Sequence, residues 1–134
     1  MKNVLKSIAL VCVLALAACE KDEGKLPNIS LKTGGSYISA TTSVPAGTNA
    51  TIGIDASKAE EEDVLKKFNI SKSVNNGTAG TVFSKDLSGS EGDTYSYDYV
   101  ATVGSTVGDL EKYTFTVTNR DGLVNQVDVT LIVQ

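Results

Sequence analysis

The sequence predicts an all-β fold: an antiparallel sandwich of about seven strands with one short helix after the second core strand. Two observations carry that prediction. From residue 26 to residue 134, apolar residues recur at every second position in most segments, the period of a strand with one face buried. Gly, Pro and Asn clusters break these segments at short intervals, the spacing of turns between short strands. The length of 134 residues allows one domain.

The first residues are not part of that domain. Lys2 and Lys6 precede an apolar run from Ile8 to Leu16, and small residues follow. Residues 1–18 therefore read as a secretory signal peptide. The run is too short to span a hydrocarbon core of about 30 Å as a stable helix. Residues 20–25 form a charged tether with a reach of about 20 Å at roughly 3.5 Å per residue, which keeps the domain close to its anchoring point.

Residues 26–32 and 37–42 make an opening strand pair, or one broken edge strand, around Gly34-Gly35. Residues 51–56 place Ile52, Ile54 and Ala56 on one face, as an inner strand does. Ser57-Lys58-Ala59-Glu60 then fits a capping box. Acids crowd the start that follows and Lys66-Lys67 its end, so a short helix is expected over residues 58–65. Consecutive carboxylates on a helix point in different directions, unlike the alternating ligands of a calcium loop. No metal site is expected.

Residues 67–74 set Phe68, Ile70 and Val74 on one face, and Asn75-Asn76-Gly77 offers a hairpin turn. Residues 81–87 return with Val82 or Phe83 inward. Residues 94–103 carry Tyr95, Tyr97, Tyr99, Ala101 and Val103 on one face and Ser96, Asp98 and Thr102 on the other. Tyr113, Phe115 and Val117 alternate in the penultimate strand, and Val127, Val129, Leu131 and Val133 in the last. Asn119-Arg120-Asp121-Gly122 is the tight loop between them.

Composition narrows the function classes. The chain has no histidine, which removes the commonest general base and neutral metal ligand. Loss of the signal peptide leaves 116 residues with 10 basic and 16 acidic side chains, a net charge of −6, so nucleic-acid binding is not expected. No Ser-x-x-Lys or Gly-x-Ser-x-Gly nucleophile motif occurs. Asp109 and Asp121 stand beside Gly108 and Gly122, which is ordinary turn chemistry. No catalytic residue and no cofactor is therefore expected.

Leu16-Ala17-Ala18-Cys19 resembles the lipobox of bacterial lipoproteins. The resemblance implies that Cys19 becomes the first residue of the mature chain and carries the lipid anchor, which two or three acyl chains make stable. Cys12 would leave with the signal peptide, so no disulfide is expected. Lys21, Asp22 and Glu23 resemble the export signal of surface-exposed lipoproteins in Bacteroidetes. That implies an outer-membrane address facing the cell exterior, with a periplasm-facing address as the alternative and a plain solvated tether as the bland reading.

The stretch from Gly108 to Val133 resembles the closing hairpin of immunoglobulin-like domains of the polycystic-kidney-disease, cadherin and Bacteroidetes surface-lipoprotein kind. Tyr113 falls where such folds place a tyrosine corner. The disulfide and core Trp of antibody domains are absent, as are cadherin-type calcium motifs. The expected function is a non-catalytic cell-surface module that binds a protein or glycan partner close to the outer membrane; the ligand-binding residues are left unassigned. Loops 43–49, 88–93 and 104–108 are the expected contact surface. The alternative is an assembly subunit that associates by strand addition, with the opening strand, containing Pro27 and little charge, as the edge to inspect. The Tyr95-Tyr97-Tyr99 stripe reads as core packing, with sugar stacking as the competing reading.

Overall fold

The structure, a computed structural model, describes residues 24–134. The signal segment, Cys19, Lys21, Asp22 and Glu23 lie outside the described residues. Among the described residues eight strands form: β1 (Asn28–Leu31), β2 (Thr42–Val44), β3 (Asn49–Ser57), β4 (Leu65–Val74), β5 (Gly80–Asp86), β6 (Thr94–Thr102), β7 (Leu110–Asn119) and β8 (Val124–Val133). They build a three-stranded sheet in the order β1-β3-β6 and a five-stranded sheet in the order β2-β8-β7-β4-β5. Setting the first, third and sixth strands against the fourth, seventh and eighth is the immunoglobulin-like sandwich arrangement.

Alternation decides which side chains meet between the sheets. Ile52, Ile54 and Ala101 on one sheet face Phe68, Ile70, Phe115, Val117, Leu131 and Val133 on the other, all buried. The domain has no disulfide among the described residues, so this apolar face supplies its main driving force at about 25 cal/mol per Å² buried. Val74 shares the parity of Phe68 and Ile70 but, as the last residue of β4, is 38% exposed. Of the two candidates on β5, Phe83 turns inward and Val82 outward.

Two expectations need correction. Residues 58–65 are not a helix. Ser57 is the last residue of β3, opposite both Asn28 and Thr94, and the Lys58 amide donates to the Asp93 carbonyl at 3.0 Å, extending the ladder. Only one turn follows, closed by Asp63 N–H to the Glu60 carbonyl at 3.2 Å, and Leu65 already starts β4. So short a run cannot repay helix nucleation. The helical turn that does form, a 3₁₀ turn over Gly89–Gly92, follows a second Ser-x-x-Glu pattern: the Ser88 amide donates to Glu91 Oε2 at 3.5 Å.

The second correction concerns the opening segment. The sandwich has eight strands and is not wholly antiparallel, since β2 pairs parallel to β8. The chain leaves β1 and turns at Gly34 and Gly35, at φ +82° and +57°, a left-handed region that favours glycine; it then bridges β3 again, Tyr37 beside Thr51 with the Ile38 amide on the Thr51 carbonyl at 2.9 Å, before crossing to β2 on the other sheet. At the β4–β5 turn, positive φ falls on Asn75 (+52°) and Asn76 (+58°), with Gly77 N–H closing to the Val74 carbonyl at 2.9 Å.

Candidate functional site

Strand geometry gives the sandwich two distinct ends. The chain enters beside the β7–β8 hairpin, where the buried Asn119 side-chain amide donates to the Lys25 carbonyl at 3.4 Å and to Asp63 Oδ2 at 2.7 Å. Asn119 Oδ1 accepts from the amides of Asp121 and Leu123 at 3.1 and 2.8 Å, which sets the hairpin. Asp63, 3% exposed, also caps the Val64 amide at 2.7 Å. Of the acidic run, then, Asp63 is structural, while Glu60 and Glu62 border a shallow 390 Å³ depression with Arg120 and Asp121. Among the described residues no three acidic side chains converge as a metal-holding group.

The opposite end, a ten-residue strand or roughly 33 Å away, carries loops 43–49 and 104–108 together. The Gly47 amide donates to both the Val103 and Gly104 carbonyls at 3.1 Å. Val107, 70% exposed, is the most open large apolar side chain among the described residues, with Leu110 and Val74 also exposed at this end. Asp109 accepts from Asn75 Nδ2 at 2.9 Å and so braces the neighbouring turn. Loop 88–93 belongs to the entry end, so the three loops do not form one surface. Asp109 and Asp121 are likewise at opposite ends.

Tyr113 occupies the corner position, with a variation. Its hydroxyl donates to Glu111 Oε2 at 3.1 Å, and Glu111 Oε1 accepts from the Gly104 amide at 3.0 Å and from Lys72 Nζ at 2.9 Å. A carboxylate thus relays the tyrosine to the β6–β7 loop backbone. Gly104 is required by the approach, since a Cβ there would lie 2.6 Å from Glu111 Oε1. Burial pushes the Tyr113 hydroxyl well above the usual tyrosine pKa, with the Glu111 charge adding to it.

The tyrosine stripe on β6 is packing that closes one flank. Tyr95 is buried, while Tyr97 and Tyr99 are half-buried. Phe68 meets Tyr95 and Tyr97 at centroid distances of 5.2 and 5.7 Å, and Phe83 stacks on Tyr97 at 4.6 Å. Tyr99 packs on Tyr113 at 5.8 Å. Burial raises Tyr95 to about 12. The rings therefore fill the mouth between β5 and β6, with the outer parts of Tyr97, Tyr99 and Phe83 left open.

On the outer face of the small sheet, Lys32 Nζ sits 2.6 Å from Asp98 Oδ1 and the Tyr37 hydroxyl donates to Asp98 Oδ2 at 2.9 Å. Both lie over Gly53, where a Cβ would come within 2.7 Å of Tyr37 Cε1. The hydrogen bond from Lys32 holds the Asp98 carboxyl below its ordinary value. Beside this bridge runs an open groove of about 650 Å³ lined by small polar side chains, among them Ser30, Asp55, Ser57 and Ser96.

No protein family and no curated protein sequence matches the chain. Its fold is similar to the superoxide reductase (neelaredoxin) from Ignicoccus hospitalis, with a TM-score of 0.54 and 6% identity over 82% of this chain and 81% of that one. A variant of that protein superposes with a TM-score of 0.57 and 7% identity, covering 87% and 86% of the two chains. A β-glucuronidase from Bacteroides uniformis gives a TM-score of 0.49 and 16% identity over 78% of this chain and 13% of the enzyme. At such identities the first two likenesses bear on the sandwich fold alone.

Proposed function

We propose that the chain is a non-catalytic lipoprotein, anchored through Cys19 in the outer membrane and facing the cell exterior, whose immunoglobulin-like domain binds a protein or glycan partner near the membrane. The observation that supports this reading is the polarity of the domain: the segment leading back to Cys19 leaves at one end, and the most exposed apolar side chain, Val107, stands at the other. A module tethered this way offers its far loops to a partner. Absence of histidine, absence of a nucleophile motif and the separation of Asp109 from Asp121 favour binding over catalysis.

Location and contact are tested separately. Mass spectrometry of the purified chain should find acylated Cys19, and protease added to intact cells should release the domain. A Cys19→Ala variant that still partitions with membranes, or protection of the domain in intact cells, would sink the corresponding claim. A photo-crosslinker at Val107 should give adducts on living cells that one at Arg120 does not; equal adducts from both ends would count against the far loops.

A further inference from the structure

β6 is a terminal strand of its sheet, paired on one side only. Which of its backbone groups face outward follows from the two ends of the ladder. Val103 N–H donates to the Thr48 carbonyl at 2.9 Å, and the Asp93 carbonyl accepts from Lys58 at 3.0 Å. Antiparallel partners alternate in steps of two, so Tyr95, Tyr97, Tyr99 and Ala101 bond to β3. Thr94, Ser96, Asp98, Val100 and Thr102 direct their N–H and C=O groups away from it. Among the described residues no backbone hydrogen bond reaches those outward groups.

Folded proteins usually blunt such an edge with Pro, a bulge, exposed charge or brevity. The other edges here are blunted. β1 has four residues and its approach is fixed by the Asn125 side chain on the Pro27 carbonyl at 2.9 Å. β2 has three. The β4–β5 pairing is bulged at Ile70/Ser71, and β5 carries Lys85 and Asp86. β6 has nine residues with no Pro and an unbroken register, and its one charge, Asp98, is already paired with Lys32. Alongside it, Tyr97, Tyr99 and Phe83 are half-buried and lack cover on that flank.

We propose that the outer edge of β6 is a strand-addition site for an extended polypeptide segment of another protein, with apolar side chains at alternate positions. This is a flank surface, separate from the far loops of the functional reading. An added strand pairs the free N–H and C=O groups, and every second side chain falls over Tyr97, Tyr99 and Phe83. A glycan has no alternating donor and acceptor row at strand spacing to match. A second copy of this chain is disfavoured if the lipid-anchor reading holds. Antiparallel pairing of β6 with itself reverses the long axis of the partner, placing its entry end roughly 33 Å up the domain, beyond a tether of about 20 Å.

The test is amide hydrogen exchange by NMR on the full protein in mild detergent, probed with a synthetic peptide copying β3, Asn49–Ser57, whose Ile52 and Ile54 share a face with the β6 tyrosines across the natural pairing. In the free protein Tyr97 and Tyr99 amides should be protected while Ser96, Asp98 and Val100 exchange fast. Saturating peptide should slow those three by about tenfold or more. The same peptide N-methylated at alternate backbone nitrogens on its docking side should have no effect, and Val100→Pro, which removes an outward donor but no bond to β3, should fold and abolish the slowing. Slow exchange at Ser96, Asp98 and Val100 in the free protein, no slowing at saturation, or equal slowing by the methylated peptide would each overturn the site. None of these outcomes depends on where the protein is displayed.

Discussion

Replacing Glu111 with Ala should destabilise the domain by about 4 kcal/mol. The carboxylate is 2% exposed and takes hydrogen bonds from the Gly104 amide, the Tyr113 hydroxyl and Lys72 Nζ, all at 2.9 to 3.1 Å. Its removal leaves a loop N–H and a buried hydroxyl unsatisfied, at roughly 1–3 kcal/mol each. Lys72 is 25% exposed and regains water, so it adds little. Against a total stability of about 5–15 kcal/mol, and at roughly 4 °C per kcal/mol for a domain near 100 residues, the midpoint should fall by about 15 °C. Glu111→Gln keeps one acceptor oxygen for Gly104, turns the group at Tyr113 into an NH2 that the tyrosine oxygen can accept from, and loses the charge opposite Lys72, so an intermediate loss of about 1–3 kcal/mol is expected. Equilibrium urea denaturation measures both. An Ala variant within about 0.5 kcal/mol of the parent, or a Gln variant as costly as Ala, would refute the relay from Tyr113 through the carboxylate to the loop.

Three further outcomes follow from the same geometry. Asn119→Ala strands the buried Asp63 carboxylate and frees the β7–β8 hairpin and the Lys25 carbonyl, so denaturation should show a loss of about 2–4 kcal/mol. Asn76→Gly acts in the opposite direction: it relieves a φ of +58° on a residue with no side-chain bond of its own, and a gain of up to about 1 kcal/mol is expected, with a loss counting against the turn. Alkali should weaken the domain, because burial raises Tyr95 to about 12 and raises Tyr99 and Tyr113 as well. A raised folded pKa favours the protonated ring, so this stability is full below about pH 10 and is lost as pH climbs toward 12. Stability curves from pH 8 to 11.5 should show Tyr95→Phe less sensitive than the parent, and parallel curves would contradict the burial.

Strands were legible wherever alternation was strong. β3, β6, β7 and β8 present Ile52 and Ile54, Tyr95 to Ala101, Tyr113 to Val117 and Val129 to Val133 inward as their period requires. The misread segment, residues 58–65, holds a sound local signal, but Ser57 was already committed to two neighbouring strands and Asp63 to a buried amide. Tertiary pairing therefore overrode a cap worth about 1 kcal/mol. The parallel β2 was invisible for a related reason: three residues carry no period, and their placement depends on where the chain crosses between sheets after its last bridge to β3 at Tyr37.

The candidate sites divide along the same line. Glu111 and Asn119 share the parity of Tyr113, Phe115 and Val117, so alternation alone points a charge and an amide into the core, where each must find partners. That signal was available, and the structure supplies the partners. The free edge of β6 had no such signal. Whether a strand is central or terminal depends on strand order, to which the side-chain period is indifferent. Inspection of the opening strand for exposed backbone rested on Pro27 and its low charge, and β1 proves short and braced by Asn125. In β6 the same alternation that buries the tyrosines also decides which N–H groups stay free. An inward Tyr97 bonded to β3 requires an outward Asp98 and Val100, so the face that builds the core and the edge open to a partner are two consequences of one register, and a one-residue shift would destroy both.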